Sequence, residues 1–477
     1  MADPIADRLL IALDQVAAAS AASPFDTVVV GGGSAGITAA RTLAEAGKRV
    51  AMLDAGPLSL LTHVQSTDLR FDPDLVRGIQ QALSYSPKGA GSTNYGSLIG
   101  CLGGRGLFWN GAAPRFSAED FEEWPISLAE LGAPYEWAET QFRVTTEYGA
   151  GRLSNLLIAR LKAAGLDARP GPYAVDVHET ASGWLAGTVG NSLAPLLRST
   201  AATTGNRISI STRAFARKIL AADGAVEGVE TVDLATGKVQ QIRARSVVLA
   251  AGAFESVRLA LVSGLPDPHG LIGRYISDHN FVRAYYPMDP ANYADRPEVS
   301  IIWIPAMTNR NYQIEIHLPS DNLFLVKEST VWAPDKSAYY AAMVRSFAPL
   351  QPRAGNFIEA LPGDAPGSYR VTMSLDADDQ ALAALQAIAL ESVRAALGAD
   401  AAQPQTLPLG ASHHEAGGLI MGREPGSSVT DQFGRFWSTK RLVACDSASW
   451  PKVSAANPHL TIVAMARRQA AQLATEL

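Results

Sequence analysis

The chain has 477 residues, too many for one simple core, so two or three domains are expected. Hydrophobic residues make up 47% and charged residues 18%, which excludes a disordered chain, and a formal charge of −6 disfavours a nucleic-acid binder. The two cysteines, Cys101 and Cys445, cannot build a disulfide framework or a four-thiolate metal site, and with eight scattered histidines no metal site is expected.

At the N-terminus, Asp3, Asp7 and Asp14 interrupt what would otherwise look like a secretory leader. Ile5, Leu9, Ile11, Leu13 and Val16 suit a short amphipathic helix instead, giving a helical extension over 1–23. The longest apolar runs, such as 246–254, fall short of the roughly 18–20 residues that cross a bilayer, so the chain reads as cytoplasmic with no membrane partner. A β-branched run at 27–30, glycines, helical spacing over 37–46 and a strand at 49–53 make a β–turn–α–β unit of a parallel sheet. Segments 60–90 and 114–194 read as helix-and-loop cover. Further strands are expected at 208–211, 216–220, 226–233 and 246–250, with a helix after them through Ala260. The texture then changes. Segments 299–304, 312–317 and 323–329 alternate as antiparallel strands do, 369–374 adds another, and 376–397 reads as one long helix. A strand at 442–445 and a closing helix over 459–477 end the chain. The fold class is α/β, with a Rossmann-like domain and an interleaved α+β substrate-binding domain built on an antiparallel sheet. The first domain takes 24–120, 200–279 and 412–477; the second, with cover, takes 121–199 and 280–411.

Gly31, Gly33 and Gly36 satisfy GxGxxG between a strand and a helix, the context that gives this motif meaning. Gly31 permits the tight turn, Gly33 lets a pyrophosphate approach the backbone, and Gly36 lets helix and strand pack closely. Ser34 and Ala35 open the helix, whose N-terminal amides suit a diphosphate. Asp54 follows the second strand, 18 residues after Gly36, beside Ala55, where a carboxylate binds ribose hydroxyls. An acid there favours FAD or NAD over NADP. The run VVLAAG ends in Ala251 and Gly252, small enough for backbone to pass close to a dinucleotide.

These residues resemble the glucose–methanol–choline (GMC) flavoprotein oxidoreductases. The resemblance is carried by VVVGGGSAGITAARTLAEAGKRVAMLDAG, by GGRGLFWNGAAPRF at 103–116, by VVLAAGAFESVRLALVSG, and by HEAGGLIMG followed by DSASW and NPHLTIVAMARRQA. The loop at 103–116, GRYISDH at 273–279 and NPHLT look closest to the pyranose-oxidase-like branch, although the insertions are short for that branch. The resemblance implies a Rossmann-like FAD-binding domain and FAD-dependent oxidation of an alcohol, on a sugar, glycoside or related polyol. Oxygen or another acceptor would take the electrons. His414 matches the family's active-site base and Asn457 its partner. Asp446, with Ser447, matches an acid whose neighbouring backbone meets the flavin's diphosphate and ribityl chain, and Ala216 the residue whose backbone meets adenine. Gly104, Arg105, Gly106, Phe108, Trp109, Asn110 and Gly111 would lie along the isoalloxazine. His459 and Leu460 open the final helix, whose amides would face the ring. Some pyranose oxidases link the flavin through a histidine where this chain has Phe108, so FAD is expected to be non-covalent.

A histidine base and an asparagine donor suit the removal of a hydroxyl proton while a hydride leaves the same carbon. The two are 43 residues apart, so only the fold can join them. His413 would point away if the segment is an extended strand. His279 reads as serving local structure, His317 as a residue that could line the substrate cavity, and Trp109 as packing or cavity wall. Other classes on such a chain are a FAD-containing lyase that cleaves cyanohydrins and a non-redox flavin-binding protein.

Overall fold

Strands covered on both faces must be apolar on both, and FDTVVV is: five of its six residues are buried. In the computed structural model, which describes residues 10–96, 98–147, 150–179, 185–198, 206–288, 300–318 and 341–477, it forms the centre of a parallel sheet. In chain order the first elements are α1 (Leu13–Ala22), β1 (Phe25–Val30), α2 (Ser34–Glu45) and β2 (Val50–Leu53). Among the cover helices that follow are α3 (Gly132–Phe142) and α4 (Arg152–Ala163). Then come β3 (Ile208–Ser211), β4 (Ala214–Ala222), β5 (Ala225–Asp233), β6 (Val239–Leu249) and α5 (Ala253–Val262). The second sheet uses β7 (His279–Pro287), β8 (Ser300–Ile304), β9 (Gln313–Leu318) and β10 (Ala341–Pro349). A hairpin of β11 (Phe357–Ala360) and β12 (Tyr369–Thr372), then α6 (Ala377–Leu397), β13 (Leu442–Ala444) and α7 (His459–Glu476) complete the set.

In the first sheet β6, β1, β2 and β3 are adjacent and parallel, and β13 joins the carboxyl half of β6. The antiparallel β4 and β5 bring it to seven strands. Val29, Val50, Met52 and Val248 pack with α2 and α7, whereas Val28, Val30, Val247 and Leu249 pack with α1 and α5. Gly31, Asp54, Ala250 and Asp446 therefore emerge side by side at the carboxyl edge, where open parallel sheets bind ligands.

The second sheet runs β7-β10-β9-β8, all antiparallel, with Gln405–Thr406 on one edge and Arg169–Pro170 on the other. Its two faces differ sharply. Val282, Ala284, Ile302, Ile314, Ile316 and Val344 face α4 and α6 in an apolar cluster. The alternate residues, among them Phe281, Arg283, Gln313, Glu315, Arg345 and Phe347, occupy the opposite face.

Two expectations change. Among the described residues of the expected extension, Leu10 and Ile11 extend the sheet edge before a helix over Leu13–Ala22: Leu10 bridges Ile210, and the Ile11 N–H donates to the Ile210 carbonyl at 2.8 Å. Ile5 and Leu9 lie outside the described residues, as does the strand expected at 323–329. The hairpin β11–β12 packs Ile358, Tyr369 and Val371 with Phe254 and Val257 of α5, so this part of 280–411 sits with the parallel sheet rather than the antiparallel one. Among the described residues no helix is long and apolar enough to cross a membrane.

Candidate active site

The carboxyl edge of the first sheet and the polar face of the second enclose one elongated cavity of about 510 Å3, a size common for small-molecule sites. At its parallel-sheet end Gly31 has φ +103°, and a Cβ there would lie 2.4 Å from the Ala250 carbonyl oxygen. A Cβ on Gly36 would lie 1.9 Å from the Gly31 oxygen, so α2 can pack on the turn only through a glycine. Over Gly33 nothing lies within 4 Å. Gly33, Ser34 and Ala35 thus turn the first amides of α2 toward open space. The Asp54 carboxylate accepts from the Gly32 and Gly56 N–H groups at 2.7 and 2.8 Å, and burial raises its pKa. Asp446 is buried too, and burial pushes its carboxyl up to about 6 despite bonds from Ser256 Oγ and from the Ala448 and Gly252 N–H groups. It thereby fixes the Ala251–Gly252 bend after β6.

Of the cofactor residues expected from the sequence, nearly all line this cavity: Ala55, Gly104 through Gly106, Phe108 through Asn110, Ala216, Ala251, Gly252, Ser447 and His459 join those above. Three do not. Gly36 is a packing position, Gly111 lies beside the lining at a left-handed bend, and Leu460 is fully buried in a cluster with Trp124 and Trp450. Trp109 is both wall and packing: its ring stacks on His459 at 3.9 Å, and its indole N–H donates to the Gly190 carbonyl.

The residues fit a dinucleotide such as FAD. Helices α2, α5 and α7 all begin at the cavity, which concentrates unpaired N–H groups and positive end potential there. Ser34 Oγ and His459 Nε2 are buried at this wall without a protein partner, an arrangement that calls for a polar ligand. His459 is held down to about 3 by burial, with Arg105 and His63 adding to it, so its imidazole is neutral.

His414 and Asn457 line the same cavity. The Asp278 carboxylate accepts from Ser412 Oγ, whose oxygen accepts from the His414 N–H at 3.2 Å, so the loop carrying His414 is tied to the start of β7. Burial raises Asp278 to about 6. His279 serves more than local structure. Its Nδ1 lies 2.9 Å from His414 Nδ1, and its Nε2 lies 2.5 Å from the Ser454 carbonyl oxygen. Burial holds His414 well below the ordinary imidazole range, with His279, His413, Arg105 and Arg345 pushing the same way. His413 departs from expectation: with φ +60° it is not extended, and it is among the residues that line the cavity. Its carbonyl accepts from Arg105, which also pairs with the buried Glu415. His317 does not line the cavity. Its Nε2 lies 2.6 Å from the Tyr173 hydroxyl and also meets Glu315 and Arg345.

Asn457 Oδ1 accepts from Gln313 Nε2 at 2.6 Å. Phe347, 5.3 Å from the His414 ring, stacks on Phe281 and forms an aromatic wall beside it. Arg283 and Arg345 are directly opposite across β7 and β10 and also line the cavity. Sequence reasoning missed His279, Gln313, Arg345 and Phe347 as site residues. A signal was present in QIEIHL: its alternation sets Gln, Glu and His opposite Ile, Ile and Leu, and all six are buried. A polar face under cover needs an explanation, and here Gln313 and Glu315 bond to Asn457 and Arg345, which line the cavity.

The pattern of a family model spans this arrangement. Its N-terminal part, described as GMC oxidoreductase, matches residues 25–281, and the C-terminal part matches 352–466. The chain belongs to the GMC oxidoreductase family. It is therefore a flavoenzyme of FAD-binding type that acts as an alcohol or sugar oxidoreductase. Among its relatives, a C-glycoside 3-oxidase of Microbacterium trichothecenolyticum is 25% identical, over 95% of this chain and 97% of that protein. A 6'''-hydroxyparomomycin C oxidase of Streptomyces lividus is also 25% identical, over 95% of this chain and 92% of that one. In fold this GMC oxidoreductase is similar to pyridoxine 4-oxidase from Mesorbium loti, with TM-score 0.67 and 17% identity over 94% of this chain and 99% of the other.

Proposed function

We propose that this GMC oxidoreductase oxidises a carbinol on a sugar, glycoside or related polyol, with His414 as the proton acceptor and FAD held without a covalent link. The observation that carries the reading is that His414 and Asn457 line the same cavity as the dinucleotide turn. The glycoside and aminoglycoside relatives support the substrate class. FAD, when bound, supplies the acceptor for the hydride that leaves the carbinol carbon.

Burial, with the Arg105 and Arg345 charges acting the same way, keeps His414 neutral, so its ring offers a lone pair to the hydroxyl proton. Asn457 donates its amide hydrogen to the same oxygen and orients it without competing for that proton. Gly33, Ser34 and Ala35 would hold the diphosphate of FAD, Ala216 the adenine end and Asp54 the ribose hydroxyls. Trp109 and the start of α7 would flank the ring. Phe347 and Phe281 exclude water beside His414. Phe108 has no nucleophilic atom to link to flavin. Oxygen or another electron acceptor serves as the final acceptor, in a cytoplasmic enzyme without membrane or nucleic-acid partners.

The test is an anaerobic screen of sugars, glycosides, amino sugars, cyclitols and aliphatic alcohols against the purified yellow protein. Bleaching by a sugar or glycoside is expected; bleaching by none of the alcohols would overturn the reading. Acid precipitation is expected to leave the colour in the supernatant, and a yellow pellet would refute the non-covalent assignment.

A further inference from the structure

One oxygen of the alcohol has to meet a hydrogen-bond acceptor on one side and a donor on the other. Neither side chain has that polarity by itself. A neutral histidine carries its proton on either nitrogen, and a carboxamide can be turned end for end. We propose that two residues of the antiparallel sheet fix it: His279 holds His414 as the Nδ1–H tautomer, leaving Nε2 bare, and Gln313 holds the Asn457 oxygen, leaving Nδ2–H to donate. The inference rests on the reading of His414 as base and Asn457 as donor.

The first chain starts at the Ser454 carbonyl, which can only accept. It lies 2.5 Å from His279 Nε2, so that nitrogen carries the proton. A neutral His279 then presents a lone pair at Nδ1, 2.9 Å from His414 Nδ1. One proton must lie between the two nitrogens, and only His414 can supply it. His414 Nε2 is left bare on a residue that lines the cavity. His279 is neutral because burial pushes it down to about 4, against the pull of the Ser454 carbonyl and Glu315. A protonated His279 would donate at Nδ1 and force the proton of a neutral His414 onto Nε2.

The second chain starts at Trp303, whose indole N–H can only donate. It lies 2.7 Å from Gln313 Oε1. At the other end of the same amide, Gln313 Nε2 is 3.2 Å from Glu315 Oε1. Burial would raise the Glu315 carboxyl, but Arg345 and His317 bring it to about 2, so it is ionised and only accepts. Donor-only and acceptor-only partners at its two ends leave Gln313 one orientation. Its second amide hydrogen therefore goes to Asn457 Oδ1, at 2.6 Å. Asn457 keeps Nδ2–H for the cavity.

The direct test reads the tautomer. With eight histidines in the chain, long-range 1H–15N correlation of the 15N-histidine-labelled holoprotein, assigned with His279→Ala and His414→Ala, reports which nitrogen of His414 is protonated. An Nδ1–H signal is expected; an Nε2–H signal overturns the first chain. Kinetics test the consequence. His279→Ala is expected to keep its flavin spectrum and KM but slow anaerobic flavin reduction about 10²-fold, within the range of general-base effects. His279→Gln, which retains a donor and an acceptor, is expected to recover to within about tenfold. A wild-type rate in His279→Ala, or no recovery in a folded, yellow His279→Gln, overturns the inference. If His279→Ala does not fold, the wild-type spectrum and His279→Gln decide. Gln313→Glu reverses the second chain and is expected to slow reduction about 10–10²-fold with FAD retained; an unchanged rate overturns that arm. A wild-type rate in His414→Ala would instead sink the base assignment, whatever the tautomer.

Discussion

The two walls of the cavity are built on opposite principles. The parallel-sheet wall is mostly backbone: strand ends, glycines and the first turns of α2, α5 and α7. The antiparallel wall is mostly side chains, set two residues apart on β7 and β10, with β9 behind them and an apolar cluster on the far face of the sheet. A backbone site binds whatever suits exposed N–H groups and tolerates no side chain in the way. A side-chain site can be retuned residue by residue while its strands stay in register.

The largest effect should come from the backbone wall. Gly33→Val places a branched side chain in space that is now open, and near-complete loss of bound FAD is expected from a folded protein. One FAD per chain in that variant, measured by absorbance after purification, would contradict the turn assignment.

Protonation should act on both walls together. Burial holds His63 and His279 to about 4 and His459 to about 3, against an ordinary value of 6.5. Between those values the unfolded chain binds more protons, so the histidines' contribution is present above 6.5 and is lost as pH falls through that window. Asp278 and Asp446, raised to about 6 from 3.8, act with the opposite sign between those values. Three histidines outweigh two acids, so the thermal midpoint should fall from pH 7 to pH 5. A midpoint that rises over this range would show that the buried histidines do not dominate.

On the side-chain wall the effects shrink and the flavin should stay. Asn457→Ala removes one buried hydrogen bond, worth about 1–3 kcal/mol, and should slow flavin reduction about 10–10²-fold. Asn457→Asp should be worse than its shape suggests, since a carboxylate repels charge developing on the alcohol oxygen; a rate above that of Asn457→Ala would argue against the donor role. Phe347→Ala removes an aromatic contact worth about 0.5–1.5 kcal/mol and should raise KM a few-fold with an unchanged flavin spectrum. Loss of FAD from this variant would mean that the walls are not separable.

This contrast also explains what the sequence made legible. Gly31, Gly33, Gly36 and Asp54 lie within 24 residues because one turn and its neighbouring strand need them in fixed register. The sheet built on β1, β2, β3 and β6 and the closing helix α7 followed from local patterns for the same reason. His279, Gln313, Arg345 and Phe347 have no shared spacing, since antiparallel pairing rather than chain order makes them neighbours. His413 was misread because a left-handed backbone position breaks the alternation that a strand would impose. The hairpin β11–β12 looked like part of the second sheet because strand texture alone does not say which core a strand joins.

The central claim is that His414 takes the alcohol proton inside a cavity whose other wall holds the flavin. The measurement that tests it is rapid anaerobic mixing of His414→Ala with the alcohol that bleaches the wild-type enzyme, following flavin absorbance. A fully loaded yellow protein that bleaches about 10²–10⁴-fold more slowly is expected. Bleaching at the wild-type rate would contradict it, and a slow His413→Ala beside a fast His414→Ala would move the proton acceptor by one residue.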